Sequence, residues 1–550
     1  GMISYDSYGN NRTRGNMSQT DYQAFIDPKT DELTFSVHEL KQDNFYMSYS
    51  EGSRYNINVQ GQLLYNRSFD DHTFGGMLRA ERDYWDSGGA QIPFNVLGFA
   101  GRLTYDYANR YFAEANFGYN GSEQFSPEKR FGFFPSLSGG WAISNESFLS
   151  ENPILTFLKL RASYGKVGND KMGGSRFLYL DDITMGGGFS GSLAAGHGIN
   201  EGLLGNKMLT WETADKYNLG IDFSIIKDIT GQVEFFREYR SQILLTRQSI
   251  PAWQGTPLGN IPKVNLGEIE NKGFEVELGY NKTFSNDLYI NLKGQVSYNK
   301  NKRIKMDEVP RDETYAYQYR STGYPIGQSW GYIIDWDQDG GYWTEETLAD
   351  ANRVTYDFGT PGPGDFVYKD LNGDGVVNDK DQAPIGVGNI PQYSYGLSLS
   401  AQWKGFDAYI FFQGLAKFNS TYAQQGTYEY IIRGTYFPYH KKAWTAERWA
   451  NGEEITYPAL HTGESTNHKA NSFFVFDRDL FRLKNFEIGY TLPANSLRIL
   501  GVSNLRLFVN GQNVFTWSPK FRPTHLDPEN DDSIGYPQTS IFSFGTNIKF

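Results

Sequence analysis

Residues 539–550 read TSIFSFGTNIKF. Phe542, Phe544, Ile548 and Phe550 share one parity, and Ser543, Gly545, Asn547 and Lys549 fill the other. Successive side chains of a strand point to opposite faces, so a strand here has one apolar and one polar face. The apolar face must be buried in a protein core or in lipid, and that choice decides the fold.

The alternation recurs upstream. In YNLGIDFSI, Tyr217, Leu219, Ile221, Phe223 and Ile225 oppose Asn218, Gly220, Asp222 and Ser224. GFEVELGYN sets Phe274, Val276, Leu278 and Tyr280 against Glu275, Glu277, Gly279 and Asn281, and LYINLKGQVSYNK repeats the pattern. About fifteen such segments begin near residues 54, 73, 95, 110, 131, 155, 214, 229, 272, 287, 393, 405, 478, 504 and 540. Each is close to the length that crosses a bilayer at a tilt.

The connections alternate in length. Short links such as KDITG, NKTFSND and WKGFD take turns with long ones at about 166 to 213, 242 to 271, 300 to 392, 416 to 477 and 516 to 539. An outer-membrane barrel has short periplasmic turns and long extracellular loops, whereas a soluble sandwich has no reason to keep that alternation. The reading is therefore an all-β, transmembrane antiparallel barrel. Phe550 then lies on the periplasmic side, and counting strands backwards assigns residues 1–50 to an extracellular loop region and 51–550 to barrel. The odd strand count and the absence of an export signal at Gly1 and Met2 predict further strands upstream.

Composition agrees. Hydrophobic residues are 39% and mean hydropathy is -0.55, without the long apolar run that a spanning helix needs. Aromatics reach 16%, which suits girdles at two lipid–water boundaries, and the 60 glycines suit turns and barrel corners. With 51 basic against 63 acidic residues the net charge is -12, and no basic stripe is present, so nucleic acid is not an expected partner. The chain has no Cys, as suits an envelope protein that avoids disulfide chemistry. A soluble glycan-binding β protein is the alternative reading of the same composition.

One stretch carries metal-ligand spacing. In DLNGDGVVNDKD, Asp370, Asn372 and Asp374 hold positions 1, 3 and 5, Gly375 makes the turn, and Val376, Asn378 and Asp381 hold positions 7, 9 and 12. Hard Ca²⁺ takes six to eight oxygens, and this spacing wraps them about one point; an Asx-turn loop without metal is the alternative. A weaker second candidate is DWDQDGGYWTEE, with Asp335, Asp337, Asp339 and Glu346. Either ion would brace a loop.

Enzyme signatures are missing. There is no P-loop, H-E-x-x-H or G-x-S-x-G, and the 7 histidines lack metal spacing. The expectation is a protein that is not an enzyme. Aromatics do crowd the long loops, among them Trp253, Trp330, Trp336, Trp343, Tyr428, Tyr430, Trp444 and Trp517. Flat rings can stack on sugars or pack a peptide, so these are candidate substrate-binding residues, with loop cores and the headgroup girdle as alternatives.

Several longer stretches resemble one family. NVLGFAGRLTYDYANRYFAEANFGYNGSEQF, FFPSLSGGWAISNESFL, LKLRASYGKVGND, GDFVYKDLNGDGVVNDKDQAPIG, RLKNFEIGYTLP and NLRLFVNGQNVFTWS, with the closing FGTNIKF, are similar in order to the barrel of SusC/RagA-type TonB-dependent transporters. The resemblance runs from about residue 50 to Phe550. It implies an outer-membrane nutrient importer of Bacteroidota, with a barrel of 22 strands around an N-terminal plug, of which this chain supplies about 15 strands. It also implies a SusD-like surface lipoprotein as lid, cargo of glycans or peptides, and energy from TonB through an N-terminal box. The plug and box are absent from this sequence. In such a protein the apolar face of the closing strand meets lipid, and its terminal Phe is a signal for barrel assembly. A passive porin or siderophore-type receptor, working without a lid, is the nearest alternative.

Overall fold

The computed structural model describes all residues except 18–19, 28, 40–44, 87–92, 174–175, 189–196, 423–426, 430–435, 494–500, 522–525, 531–535 and 537. Sixteen strands form one sheet in which each pairs with its neighbours in chain order. They are β1 (Met2–Met17), β2 (Phe45–Phe69), β3 (His72–Asp86), β4 (Phe94–Tyr107), β5 (Tyr111–Ser122), β6 (Phe131–Ala142), β7 (Leu155–Asn169) and β8 (Glu212–Ile225). The second half comprises β9 (Ile229–Leu245), β10 (Val264–Thr283), β11 (Tyr289–Lys305), β12 (Tyr393–Trp403), β13 (Phe406–Ala416), β14 (Leu480–Thr491), β15 (Asn504–Trp517) and β16 (Ile541–Lys549). All pairings within this sheet are antiparallel, and among the described residues β1 and β16 do not pair with each other.

The meander follows from the turns. On the short side, Ala108 and Asn109 both have positive φ (53° and 52°), as do Ile226 and Lys227 (55° and 63°). Two consecutive left-handed residues make the mirror-image turns whose twist matches that of the strands they join. The six longest links, 18–44, 170–211, 246–263, 306–392, 417–479 and 518–540, all lie on the long side.

One boundary differs from the sequence reading. Residues 1–50 are not a loop throughout: Met2–Met17 is a sheet strand, paired residue by residue from Met2 opposite Gln60 to Met17 opposite Phe45. Its stretch GNNRTRGN is polar on both faces, so hydrophobic alternation does not reveal it. With sixteen strands the parity argument for strands upstream no longer applies.

The sheet has no apolar core of its own. Directly paired residues share a face, and on one face Leu63 meets Leu78, Leu219 meets Phe235, and Val509 meets Phe544, all exposed. The opposite face is polar: Arg161 donates to Asp222 and Glu234, and Arg506 to Asp407 and Glu487. Apolar outside and polar inside is the inverse of a soluble barrel. No helix of the described residues is long and apolar enough to cross a membrane. The buried hydrophobic core lies in the long loops.

Candidate functional site: the extracellular loop cap

Loops 306–392 and 417–479, joined by part of 518–540, fold together above the sheet. Their shared core contains Tyr332, Ile334, Trp343, Phe366, Tyr457 and Phe474, all buried. Aromatic side chains bury roughly 150–250 Å² each, so such a cluster can hold long loops in one shape with little regular structure.

Trp343 is at the centre, 0% exposed. Its Nε1 donates to the Tyr356 hydroxyl at 2.9 Å; that hydroxyl donates to the Phe366 carbonyl and accepts from the Tyr368 amide, both at 2.9 Å. Burial holds the Tyr356 and Tyr368 hydroxyls well above the ordinary tyrosine range, so both act as neutral hydrogen-bonding groups. Gly364, at φ 85°, lets the chain pass beneath Trp444: a Cβ there would lie 2.2 Å from the indole.

Two buried carboxylates knit the loops together. Asp365 accepts from Asn467 Nδ2 at 2.7 Å, the Gly362 amide at 2.8 Å and the Thr466 hydroxyl at 3.3 Å, and His461 Nε2 lies 2.6 Å away. Glu429 accepts from the Tyr457 hydroxyl at 2.5 Å and the His461 amide at 3.2 Å, with His468 Nε2 at 3.2 Å. The hydrogen bond to Asp365 raises His461 above the ordinary imidazole range, against the effect of burial. Burial pushes Glu429 up, but His468 and Tyr457 outweigh it and hold the carboxyl below its usual value. The histidines are too far apart in sequence to suggest a site; folding brings His440, His461 and His468 into this one cap.

A second tie comes from the barrel wall. Arg482 on β14 is buried, and its guanidinium donates to Asp527 and Glu529 in the last loop. Neighbouring Arg478 donates to the carbonyl of Pro528 and the hydroxyl of Ser420. Sequence reading passes over this group because its members are about 50 residues apart without motif spacing.

The candidate aromatics separate into several environments. Trp343, Trp444 and Tyr428 are buried in the cap core and present no face to a ligand, which corrects their reading as a mouth. Burial pushes the Tyr428 hydroxyl up to about 12. Trp330 is held edge-on by Tyr317 and Tyr324, with Arg320 over its ring at 5.7 Å. Trp517 stands opposite Phe481 on the apolar face and belongs to the lipid boundary. Trp336, 49% exposed, and Trp253, 88% exposed, keep free surface, and among the described residues no ring contact joins them. Tyr430 lies outside the described residues.

The acidic loops are closed by hydrogen bonds. Asp370 accepts from the amides of Gly373 and Gly375, both at 2.7 Å, and Asp374 accepts from that of Val376 at 2.9 Å. Asp381 accepts from the amides of Leu371, Asn372 and Asn378, while Asn372 and Asn378 accept from Asp374 and Lys380. The donor set is hard oxygen, as Ca²⁺ requires. Among the described residues no group of three or more His, Cys, Asp or Glu side chains is placed to hold a metal ion. In the second loop Lys369 Nζ lies 3.4 Å from Asp335 and 3.5 Å from Asp337, supplying the positive charge itself. Asp339 enters a short 3-10 turn, and Glu346 lies in the first turn of a helix capped by Thr344.

The sheet also holds a recess of about 570 Å³ lined by Thr104, Glu114, Lys159, Arg161 and Asn218. A polar wall under a packed cap suits passage and recognition of hydrophilic solutes.

Comparison with known proteins gives the same architecture. Residues 3–514 match the family described as TonB dependent receptor-like, beta-barrel. The chain is 26% identical over 548 residues to TonB-dependent receptor P3 of Formosa agariphila, covering 92% of this chain and 52% of that protein. It is 25% identical over 481 residues to TonB-dependent receptor SusC of Bacteroides thetaiotaomicron, covering 83% of this chain and 44% of SusC. It thus spans about half the length of these curated relatives. The solved structure of the RagAB peptide transporter superposes with a TM-score of 0.74 at 16% identity, covering 100% of this chain and 59% of that one, a likeness of fold. The chain belongs to the TonB-dependent receptor family of outer-membrane β-barrels.

Proposed function

We propose that this chain forms membrane wall and extracellular cap of an energised importer, which takes up oligosaccharides or peptides with a SusD-like surface lipoprotein and draws its energy through TonB. The observation that carries the reading is the loop cap: loops between β11 and β12 and between β13 and β14 share one aromatic core. A passive pore needs an open mouth, whereas a lidded importer needs a stiff rim on which a partner can seat. The family supports TonB coupling, and the likeness to SusC and to the RagAB peptide transporter supports a cargo larger than porins admit. Binding and gating, without bond making, is the role assigned to this chain.

The test is uptake by the source bacterium with and without the gene, using fluorescent oligosaccharides and peptides, with and without a protonophore. The account expects gene-dependent uptake that the protonophore abolishes, and a surface lipoprotein that co-purifies in mild detergent. Uptake indifferent to the protonophore, by a protein that always purifies without a lipoprotein, would favour a passive porin.

A further inference from the structure

On the apolar face, cross-strand rows can be followed through several strands. One row runs Leu219, Phe235, Phe274, Tyr298 and Tyr393 across β8 to β12, with ring centroids of Phe274 and Tyr298 5.6 Å apart and those of Tyr298 and Tyr393 4.7 Å apart. This is an aromatic belt at a lipid boundary. The next row toward the long loops runs Tyr217, Arg237, Lys272 and Lys300, which places three cations abreast on adjacent strands. Neighbouring strands are about 4.8 Å apart, so the row spans roughly 10 Å. Lys282 is the next outward cation down β10. Ten residues separate it from Lys272, about 33 Å along a strand and about 25 Å vertically at the usual tilt, the height of the apolar band. The three cations therefore stand at the level of the outer-leaflet headgroups.

Like charges directly opposite one another destabilise a sheet. Glu270 lies 2.6 Å from Arg237 and 3.5 Å from Lys272, so one carboxylate serves both, and their side chains remain 59% and 61% exposed. Lys300 is exposed and lies in no ion pair among the described residues; Lys302, in the row above, is exposed and stands opposite Glu270 on the adjacent strand. Lys166 in that row is paired with Asp215 at 3.5 Å. Elsewhere at this boundary the outward positions differ: on β14 and β15, Phe481 faces Trp517. The cationic row is thus confined to one sector of a chain whose net charge is -12.

We propose that this row, Arg237, Lys272 and Lys300, is a binding site for the phosphate headgroup of outer-leaflet lipid. The aromatic belt beneath it packs the acyl chains, and the headgroup oxygens supply the negative charge that the row lacks. The site faces lipid, away from the lumen, and does not depend on which cargo the barrel carries.

The test uses the protein purified from its own outer membrane in mild detergent. Bound lipid is identified by mass spectrometry and its phosphorus is measured for the wild type, for Arg237→Gln/Lys272→Gln/Lys300→Gln, and for Lys216→Gln/Arg240→Gln on the opposite face of the same strands. At roughly fivefold per cation near an anionic surface, the triple variant should hold phospholipid about a hundredfold more weakly, and the lumen-face control should match the wild type. Mixed micelles of phosphatidylglycerol should raise the thermal midpoint of the delipidated wild type, and millimolar inorganic phosphate should not. Equal lipid phosphorus in wild type and triple variant would overturn the proposal, as would equal protection by inorganic phosphate. If the triple variant fails to fold, Lys300→Gln carries the same comparison with an expected loss of roughly fivefold.

Discussion

Arg482 Nη2 donates to both oxygens of Asp527, at 2.7 and 2.8 Å, while its Nη1 donates to Glu529 at 2.6 Å. The loop that leads into the last strand is thereby tied to β14, and the tie is buried. Removing one partner of such a pair leaves an uncompensated buried charge, costing about 3–5 kcal/mol. Arg482→Met should therefore expose 518–540 to protease and lower the midpoint of cap unfolding. Asp527→Asn, which keeps an acceptor and removes charge, should do less.

Trp343 and Trp253 make a matched pair of substitutions. Trp343→Ala removes a fully buried indole and the donor to Tyr356, and should cost about 3–5 kcal/mol. Loops 306–392 and 417–479 should become protease-sensitive while the barrel keeps its heat-modifiable mobility on gels. Trp253→Ala removes an 88% exposed ring and should change stability by less than about 0.5 kcal/mol. If Trp253→Ala weakened cargo binding without changing stability, the ring would be assigned to the mouth.

Cap stability should depend on pH. His461 is raised in the folded state, so its contribution is full below the unfolded imidazole value and is lost as pH rises through the folded one. Glu429 is lowered, so its contribution is present above the unfolded carboxylate value and is lost as pH falls through the folded one. Protease resistance of the cap should accordingly be greatest at mildly acidic pH. His461→Gln should flatten the alkaline side of that profile and leave the acid side in place.

Loop 370–381 rests on Asp381, which accepts three backbone amides. Asp381→Ala should cost about 1–3 kcal/mol for the amides left without an acceptor, read as cleavage between 370 and 381. Burial raises the Asp381 carboxyl, so the wild-type loop should tighten as pH falls through its folded value. Cleavage of the wild-type loop on chelation with EGTA would mean that a cation closes it.

Much of the barrel was legible because its two periods are local. Alternation in YNLGIDFSI and in GFEVELGYN marks strands that the structure places as β8 and β10, and the alternating link lengths mark the two sides. The strand Met2–Met17 was not legible, since its polar stretch repeats no apolar position. The cap was illegible for another reason. Tryptophans at 343 and 336 are alike in sequence, but one is buried and the other half exposed, because the core that loops 306–392 and 417–479 build together takes in the first and not the second. Likewise nothing near Arg482 announces Asp527. The acidic loops show a third limit: ligand spacing specifies which oxygens are present, and their hydrogen bonds decide where they point.

The central claim is that this chain crosses the outer membrane with its folded loops outside. A chain with no Cys permits a clean test, in which Glu464→Cys in the cap, Leu278→Cys on the apolar face and Asn286→Cys in a short turn are treated with a membrane-impermeant maleimide on intact cells. The account predicts labelling of Glu464→Cys at once, of Asn286→Cys only after the membrane is permeabilised, and of Leu278→Cys only after denaturation. Labelling of Asn286→Cys on intact cells, or of Leu278→Cys in the native protein, would contradict it.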